Sequence, residues 1–280
     1  MAETVGDAGV LARTAAALRA YRLVAGMWLR AALAYRASFW VTTFGNALTS
    51  VFDFVVIAIM FLHTDALGGW TLPQVGFLYG TSGLTLGLAD LTVGSLDQLG
   101  TRIRDGSVDT VLVRPASALA QLSADRFAPR RVGRVVQSSL VLGWSLSRLD
   151  VHWTPVKLLV MAGLVVCGTV IFASVFVAGA AFQFVAADAS EVQNSVTYGG
   201  ATMLQYPPTV FARDLVRGAV YGVPLAFVNW LPAMYVLGVP DTLGLPGWFR
   251  FASPLAAAVC ATAAGLAWQS GLRSYRSTGS

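Results

Sequence analysis

Long apolar segments alternate with short polar segments along most of the chain. A transmembrane helix takes about 20 consecutive apolar residues, and six segments approach or exceed that length, at about 38–62, 74–97, 132–149, 156–185, 209–237 and 251–272. The third is the shortest and is interrupted by serines. The pattern predicts an all-α membrane protein with six transmembrane helices.

The residues before the first apolar segment follow a different pattern. On a helix over 11–36, one side carries Arg19, Arg22, Arg30 and Arg36, and the other side carries Tyr21, Val24, Met27, Trp28 and Tyr35. Because aromatic side chains favour the membrane interface, this pattern predicts an interfacial amphipathic helix. Residues 1–10 are small and acidic, and we expect them to form a disordered tail. The remainder, 11–280, is predicted to be a single transmembrane domain.

Composition agrees with the hydrophobic pattern. Of 280 residues, 56% are hydrophobic and 12% are charged, whereas a soluble domain carries about 25% charged residues. The net charge is +5, but the arginines cluster at segment ends, so we expect no nucleic-acid partner. Cys167 and Cys260 both fall inside apolar segments and are expected to be free thiols.

The basic residues also predict an orientation. With both termini in the cytoplasm, sixteen basic residues lie inside and only Arg148, Lys157 and Arg250 lie outside. Basic segments are retained in the cytoplasm. The sequence therefore predicts a multi-pass protein of a bacterial cytoplasmic membrane with both termini cytoplasmic.

Four glycines of the second segment recur at helical spacing: Gly76, Gly80, Gly83 and Gly87. Because glycine lets another backbone approach closely, the stripe predicts a helix-packing face. It could serve packing inside the subunit or a subunit interface. The nearby Asp90 and Asp97 are expected to be solvated.

Two polar residues lie within apolar segments. Asp53 is near the middle of the first segment, where a carboxylate is costly unless it faces the bundle or water. Asn229 lies between Pro224 and Pro232, which predict two kinks. Either residue could line a translocation path, and Asp53 could instead hydrogen-bond to a neighbouring helix.

Motifs for enzymatic chemistry are absent from the sequence. His63 and His152 are too far apart for an HExxH zinc motif, and Lys157 follows Val156, so no Gly-Lys phosphate loop exists. We predict no catalytic, metal or cofactor-binding residues, and we do not expect the chain to be an enzyme.

The polar segment between the second and third apolar segments contains GSVDTVLVRP, residues 106–115. It predicts short cytoplasmic helices interrupted at Gly106, with Pro115 and Ser117 starting another helix. It mixes charges of both signs with Val108, Val111, Leu112 and Val113. Such a surface suits docking to another protein, although an ordinary solvated connector would have a similar composition.

This stretch resembles the loop motif G-x-[IVL]-[DE]-x-x-L-x-R-P of ABC-2-type bacterial exporter permeases. Residues 191–217, 223–238 and 271–280 are similar to further stretches of that family. One departure is Trp230, where the family has tyrosine or phenylalanine. The similarity extends over nearly the whole chain.

The resemblance implies the transmembrane subunit of an ATP-driven exporter, with a second permease subunit as homodimer or heterodimer. A separate ATPase subunit, which holds ATP and Mg²⁺, would dock beneath each permease. It implies that a coupling helix contacts the ATPase through the loop residues Arg102, Arg104, Asp105, Gly106, Asp109, Leu112, Arg114 and Pro115. A second contact would involve Glu191, Asn194, Tyr198 and Gly199.

Two other classes of protein compete with this interpretation. A self-sufficient secondary transporter or channel would carry an internal repeat and several intramembrane charges, and an intramembrane enzyme would need a cluster of catalytic side chains. Neither pattern is evident in the sequence. The substrate, the choice between homodimer and heterodimer, and the direction of transport do not follow from the residues alone.

Overall fold

A computed structural model describes residues 3–34, 41, 44–45, 52–125, 131–186 and 189–275. Within these ranges the chain is helical, and its only β-type pairing is an isolated bridge between Leu67 and Trp70. The all-α class is therefore confirmed. Most of the first half of the predicted span 38–62 lies outside the described residues.

The described helices are numbered in chain order. They are α1 (Glu3–Ala34), α2 (52–60), α3 (Leu72–Val93), α4 (Leu99–Arg104), α5 (Ser107–Leu112), α6 (Ala118–Ala124), α7 (Val132–Arg148), α8 (Pro155–Gln183), α9 (190–204), α10 (Arg213–Gly222), α11 (Leu225–Leu237) and α12 (Ser253–Ser274). Helix α9 has a π-helical segment at Ser195–Gly199.

Local sequence explains several of the helix boundaries. The Gln74 side chain accepts a hydrogen bond from the Thr71 amide at 2.9 Å, and Thr154 caps α8 through the Lys157 amide at 3.3 Å. Helices α3 and α8 each have a proline in the first turn, where no amide donor is needed.

Helix α1 begins at Glu3, so the tail predicted to be disordered over 1–10 is helical from Glu3 onward. Its alanine-rich sequence favours a helix.

Helices α8 and α12 are each long and apolar enough to cross a membrane, and α10 with α11 would count as a third if the bent pair crossed as one unit. Among the described residues, no other helix meets the same criteria. Helix α3 packs antiparallel to α7 along the glycine stripe, and its other neighbours include α8, α9 and α11. The buried aromatic residues Trp70, Phe77, Phe172, Phe176 and Trp230 belong to the core of this bundle.

The bundle has two distinct ends. The arginine-rich end comprises residues 94–125, 131–134, 184–186, 189–190 and Tyr275, and the opposite end comprises 61–71, 149–154, 205–212 and 238–252. Contacts between Gln183 and Asp97 and between Gly271 and Ala181 bring together the segments of the arginine-rich end. At the opposite end, Thr209 Oγ1 donates a hydrogen bond to the Gly68 carbonyl at 2.8 Å.

The largest departure from the predicted elements concerns residues 209–237. Helices α10 and α11 meet at an angle of 80°, and Arg213 and Arg217 share a cleft with Thr242, Leu243 and Gly244. Both ends of the segment therefore lie at the opposite end of the bundle. At 1.5 Å per residue, each helix is only about 15–20 Å long, and the bend brings the segment back to the end at which it begins.

The sequence signal for this bend was Pro224, which interrupts the helix as predicted. Pro232 produces no second kink, because it lies in the first turn of the regular helix Trp230–Leu237. Helix α9 runs from the arginine-rich end, where Gln193 bonds to Gln183, to the opposite end. With Arg213 and Arg217 at the opposite end of the bundle, the predicted distribution becomes fourteen basic residues inside and five outside, instead of sixteen and three.

Candidate functional site

Three short helices, α4, α5 and α6, form a platform over residues 94–125 at the arginine-rich end. Gly106 separates α4 from α5 in the left-handed conformation, with φ 71°, where a side chain would be strained. The Asp105 carboxylate accepts a hydrogen bond from the Ser107 amide at 2.9 Å and so starts α5. Ser117 caps α6 by accepting from the Ala120 amide at 3.4 Å.

The platform has an apolar core of its own. Ile103, Val108, Val111 and Leu122 are buried in a cluster that also contains Trp268 of α12. Val111 therefore points into the protein, and Leu112 is partly buried against the same cluster. The side chain that projects outward is Val113, which is 84% exposed.

A buried amide connects the platform to two long helices. Gln183, at the end of α8, is fully buried, and its Oε1 accepts a hydrogen bond from the Gly100 amide at 2.5 Å. Its Nε2 donates to Gln193 Oε1 of α9 at 2.5 Å and to the Asp97 carbonyl at 3.2 Å. Because Gly100 lies in the first turn of α4, Gln183 caps that helix.

A second connection comes from the C-terminal helix. The Tyr275 hydroxyl donates a hydrogen bond to Asp109 Oδ1 of α5 at 2.8 Å, and the Tyr275 ring packs against Phe184. Burial and the adjacent Asp109 carboxylate raise the pKa of Tyr275 to about 12. The hydroxyl therefore keeps its proton at neutral pH and remains a donor.

The N-terminal helix also holds the platform. Arg102 forms an ion pair with Asp125, and Trp28 Nε1 of α1 donates to the same carboxylate at 3.0 Å. The Tyr21 hydroxyl donates to the Thr92 carbonyl at 2.9 Å, and burial raises the pKa of Tyr21. The aromatic face predicted to contact lipid thus packs partly on the protein, with Arg19, Arg22 and Arg30 exposed on the other side. Tyr35 and Arg36 lie outside the described residues.

The residues predicted to contact a partner fall into two groups. Arg104, Asp105, Arg114 and Pro115 are exposed on the platform, and Val113 extends this surface. Arg102 and Asp109 instead make internal contacts with Asp125 and Tyr275, because both side chains point back toward the bundle. Gly106 supplies the turn between α4 and α5.

The predicted second contact is only partly on the surface. Glu191 is exposed at the arginine-rich end, and Asn194 is half-buried. Tyr198 turns into the bundle, where its ring packs against Phe176 and lies 5.5 Å from the Arg134 guanidinium. Gly199, in the π-helical segment, has no atom close to where a side chain would begin.

Tyr198 belongs to a charged cluster around Asp90. Asp90 is only 5% exposed, so the prediction that it is solvated is wrong. Arg131 Nε lies 3.1 Å from Asp90 Oδ1, and Arg134 Nη1 lies 3.7 Å from Oδ2. The Tyr198 hydroxyl donates to Oδ1 at 3.5 Å. The cluster joins α3, α7 and α9 near the platform.

The glycine stripe packs inside the subunit. A Cβ atom placed on Gly80 would lie 2.9 Å from the Leu142 Cα atom of α7. The corresponding neighbours of Gly76, Gly83 and Gly87 are also on α7: Trp144, Ser138 and Val135. These contacts favour the intrasubunit alternative.

The two candidate residues for a translocation path occupy different surroundings. Asp53 lines a polar cavity of about 390 Å³ together with Tyr79, Arg134 and Ser138. Asn229 is fully buried elsewhere, and its Nδ2 donates to the carbonyls of Leu78 and Leu204, both at 3.1 Å. Asn229 therefore holds the bend of α10 and α11 in place.

Sequence reasoning missed Gln183, Tyr275 and the arginine pair around Asp90. Gln183 and Tyr275 are single polar residues at the ends of apolar segments, a common position that gives no signal of a contact across the fold. From the sequence, Arg131 and Arg134 count only as orientation signals, because their acidic partner lies about forty residues earlier in the chain.

Residues 47–279 match a family model described as ABC-2 family transporter protein. The match includes the platform, the Asp90 cluster, the bent segment and α12. Neither a curated protein nor a solved structure matches the chain.

Proposed function

Because the chain belongs to the ABC-2 family of transporter proteins, we propose that it is the permease subunit of an ATP-binding cassette exporter. A separate ATPase subunit, with its own ATP and Mg²⁺, would supply the energy. The permease would pair with a second permease subunit in a bacterial cytoplasmic membrane and move a hydrophobic or amphipathic substrate outward.

The observation that carries this proposal is the construction of the platform. Its exposed side presents Arg104, Val113 and Arg114, and its buried side is bonded to α8 and α12 through Gln183 and Tyr275. A displacement of the platform would therefore act on two long helices. A partner that binds one position of the platform better than another would shift the bundle between states.

Val113→Asp tests this docking surface. The substitution places a charge where an exposed valine would meet a partner, and we expect roughly tenfold weaker association, or about 1.4 kcal/mol. The measurement is pull-down of the ATPase subunit by the tagged permease, with the unfolding midpoint of the permease as a check on folding. Leu112→Asp is less informative, because Leu112 packs on the platform's own core.

Thr242→Asp is the matched control, since Thr242 is exposed at the opposite end of the bundle. It should retain the ATPase subunit and its substrate-stimulated hydrolysis. Equal retention by Val113→Asp and Thr242→Asp would place the docking surface elsewhere. ATP hydrolysis by the purified permease alone would contradict the assignment of hydrolysis to a partner.

We further propose six membrane crossings, with α9 as the fifth and the α10–α11 segment returning to the outer side. The fourteen-to-five distribution of basic residues supports cytoplasmic termini and a cytoplasmic platform. Single cysteines at Ser117, Arg213 and Thr242, in a chain lacking Cys167 and Cys260, test this topology. In intact cells, an impermeant thiol reagent should label positions 213 and 242 but not 117.

Labelling at position 242 without labelling at 213 would instead favour a membrane span over 209–237, as the hydrophobic pattern of the sequence predicts. Labelling at 117 in intact cells would reverse the orientation. Permeabilised cells, in which all three positions should react, provide the control for reagent access.

A further inference from the structure

The polar cavity beside the Asp90 cluster is unusual for the interior of a membrane bundle. It has a volume of about 390 Å³ and lies between α2, α3, α7 and α9. The polar side chains of its wall include Asp53, Tyr79, Arg134, Gln137, Ser138 and Gln205. Ionisable residues inside a membrane are rare and usually mark a binding site or pathway.

Two donors in this wall have no hydrogen-bond partner among the described residues. Ser138 is 1% exposed and its Oγ is buried without a partner. Arg134 Nη1 is also buried, and its distance of 3.7 Å from Asp90 Oδ2 exceeds that of a hydrogen bond. Leaving such groups unsatisfied costs about 1–3 kcal/mol each, so an acceptor placed in the cavity near α7 would be stabilised.

The charges around the cavity constrain that acceptor. Asp53 and Asp90 carry two negative charges, and Arg131 and Arg134 carry two positive charges, so the group is balanced. A ligand with a net charge would add an excess of one sign to this balanced group. A ligand that carries both signs would meet Arg134 with its anionic part and Asp53 with its cationic part while preserving the balance.

We propose that this cavity binds the zwitterionic head group of an amphipathic molecule. Its anionic oxygens accept hydrogen bonds from Arg134 and Ser138, and its cationic group faces Asp53. The cavity falls within the usual size range of small-molecule sites, about 300–1,000 Å³. The inference rests on the proposed function only in treating this molecule as the transport substrate.

The test measures binding of three probes with the same alkyl chain to the purified full-length permease in dodecyl maltoside. Hexylphosphocholine is zwitterionic, hexyl phosphate is anionic, and hexyltrimethylammonium is cationic. Dissociation constants follow from the rise in the thermal unfolding midpoint with probe concentration. We expect hexylphosphocholine to bind roughly tenfold more tightly than either the anionic or the cationic probe.

Two variants test which side chain binds each end of the head group. Asp53→Asn should weaken hexylphosphocholine and hexyltrimethylammonium roughly tenfold but should not weaken hexyl phosphate, because it removes a negative charge from the cavity wall. Ser138→Ala should weaken hexylphosphocholine and hexyl phosphate but not the cation. Ser139→Ala is the matched control, because Ser139 is exposed on the same helix and donates to the Val135 carbonyl instead.

Equal affinities for all three probes would show that the alkyl chain alone drives binding and would overturn the proposal. Preference for hexyl phosphate, absence of binding, or equal effects of Ser138→Ala and Ser139→Ala would also overturn it. These measurements need no ATPase subunit. Failure of ATPase pull-down would therefore contradict the proposed function without affecting the head-group site, and the reverse also holds.

Discussion

Two buried amides, Gln183 and Asn229, cap helices in opposite ways at the two ends of the bundle. Gln183 accepts a hydrogen bond from the Gly100 amide in the first turn of α4, and so satisfies a helix N-terminus. Asn229 donates to the Leu204 carbonyl at the end of α9, and so satisfies a helix C-terminus. The terminal backbone groups have no partner within their own helices.

The two amides differ in their surroundings as well as in whether they accept or donate the capping hydrogen bond. The platform near Gln183 also uses ionised partners, including the pair of Arg102 with Asp125 and the Asp109 carboxylate. Around Asn229, the bonds join uncharged groups, such as Ser82 Oγ with the Ala201 carbonyl and Trp230 Nε1 with the Tyr206 carbonyl. Irregular backbone is thus stabilised partly by charged side chains in the platform and by neutral side chains around Asn229.

Helix α3 joins these two regions, so the largest effect is expected from Gly80→Leu. The new side chain would meet the α7 backbone, because even a Cβ atom lies 2.9 Å from Leu142 Cα. We expect α3 and α7 to separate and the yield of monodisperse protein in detergent to fall severalfold. Gly163→Leu on α8 is the control, since no atom lies within 4 Å of its added Cβ, and it should preserve the yield.

Asn229→Asp should have the next largest effect. The substitution replaces the Nδ2 donor by an oxygen that faces two carbonyls, and Asn229 Oδ1 already has no hydrogen-bond partner among the described residues. An uncompensated buried carboxylate costs about 3 kcal/mol or more. The unfolding midpoint, followed by tryptophan fluorescence, should fall by several degrees, and an unchanged midpoint would contradict the capping role.

Gln183→Glu should destabilise the protein less than Asn229→Asp does, which sharpens the contrast between the two amides. A carboxylate at this position still accepts from the Gly100 amide, and negative charge is favourable at a helix N-terminus. The donor to Gln193 and Asp97 is lost, so we expect a loss of about 1–2 kcal/mol in the free energy of unfolding. Gln183→Leu, which removes both functions, should lower the midpoint further. A larger loss for Glu than for Leu would refute the acceptor role.

The sequence predicted the elements that depend on local chemistry. The long apolar segments, the break at Gly106, the start of a helix after Ser117 and the bend at Pro224 all follow from residue type and spacing. The return of α10 and α11 could not be predicted in this way. Thr209 and Gly68 are separated by more than one hundred residues, and it is their contact in the fold that places the start of the segment at the opposite end.

The candidate site was predictable to a similar extent. The exposed residues Arg104, Asp105 and Arg114 lie on the platform, whereas Asp109, Arg102 and Tyr198 make internal contacts. Composition could not separate these groups, because both carry charged or polar side chains at similar spacing. What distinguishes them is a partner from a distant segment, such as Tyr275 for Asp109.

Tyr275→Phe should give the smallest effect and tests whether the platform is coupled to α12. The ring can still pack on Phe184, so the change removes only the hydroxyl that donates to Asp109. We expect about 1 kcal/mol of local stability to be lost. Amide hydrogen exchange across 107–112 should accelerate roughly fivefold, while exchange in α3 and α8 stays unchanged. Tyr221→Phe is the control, because Tyr221 is largely exposed on α10. If the platform exchanges at the same rate in both variants, Tyr275 does not hold α5, and the platform is held by its other contacts with Gln183, Trp268 and α1.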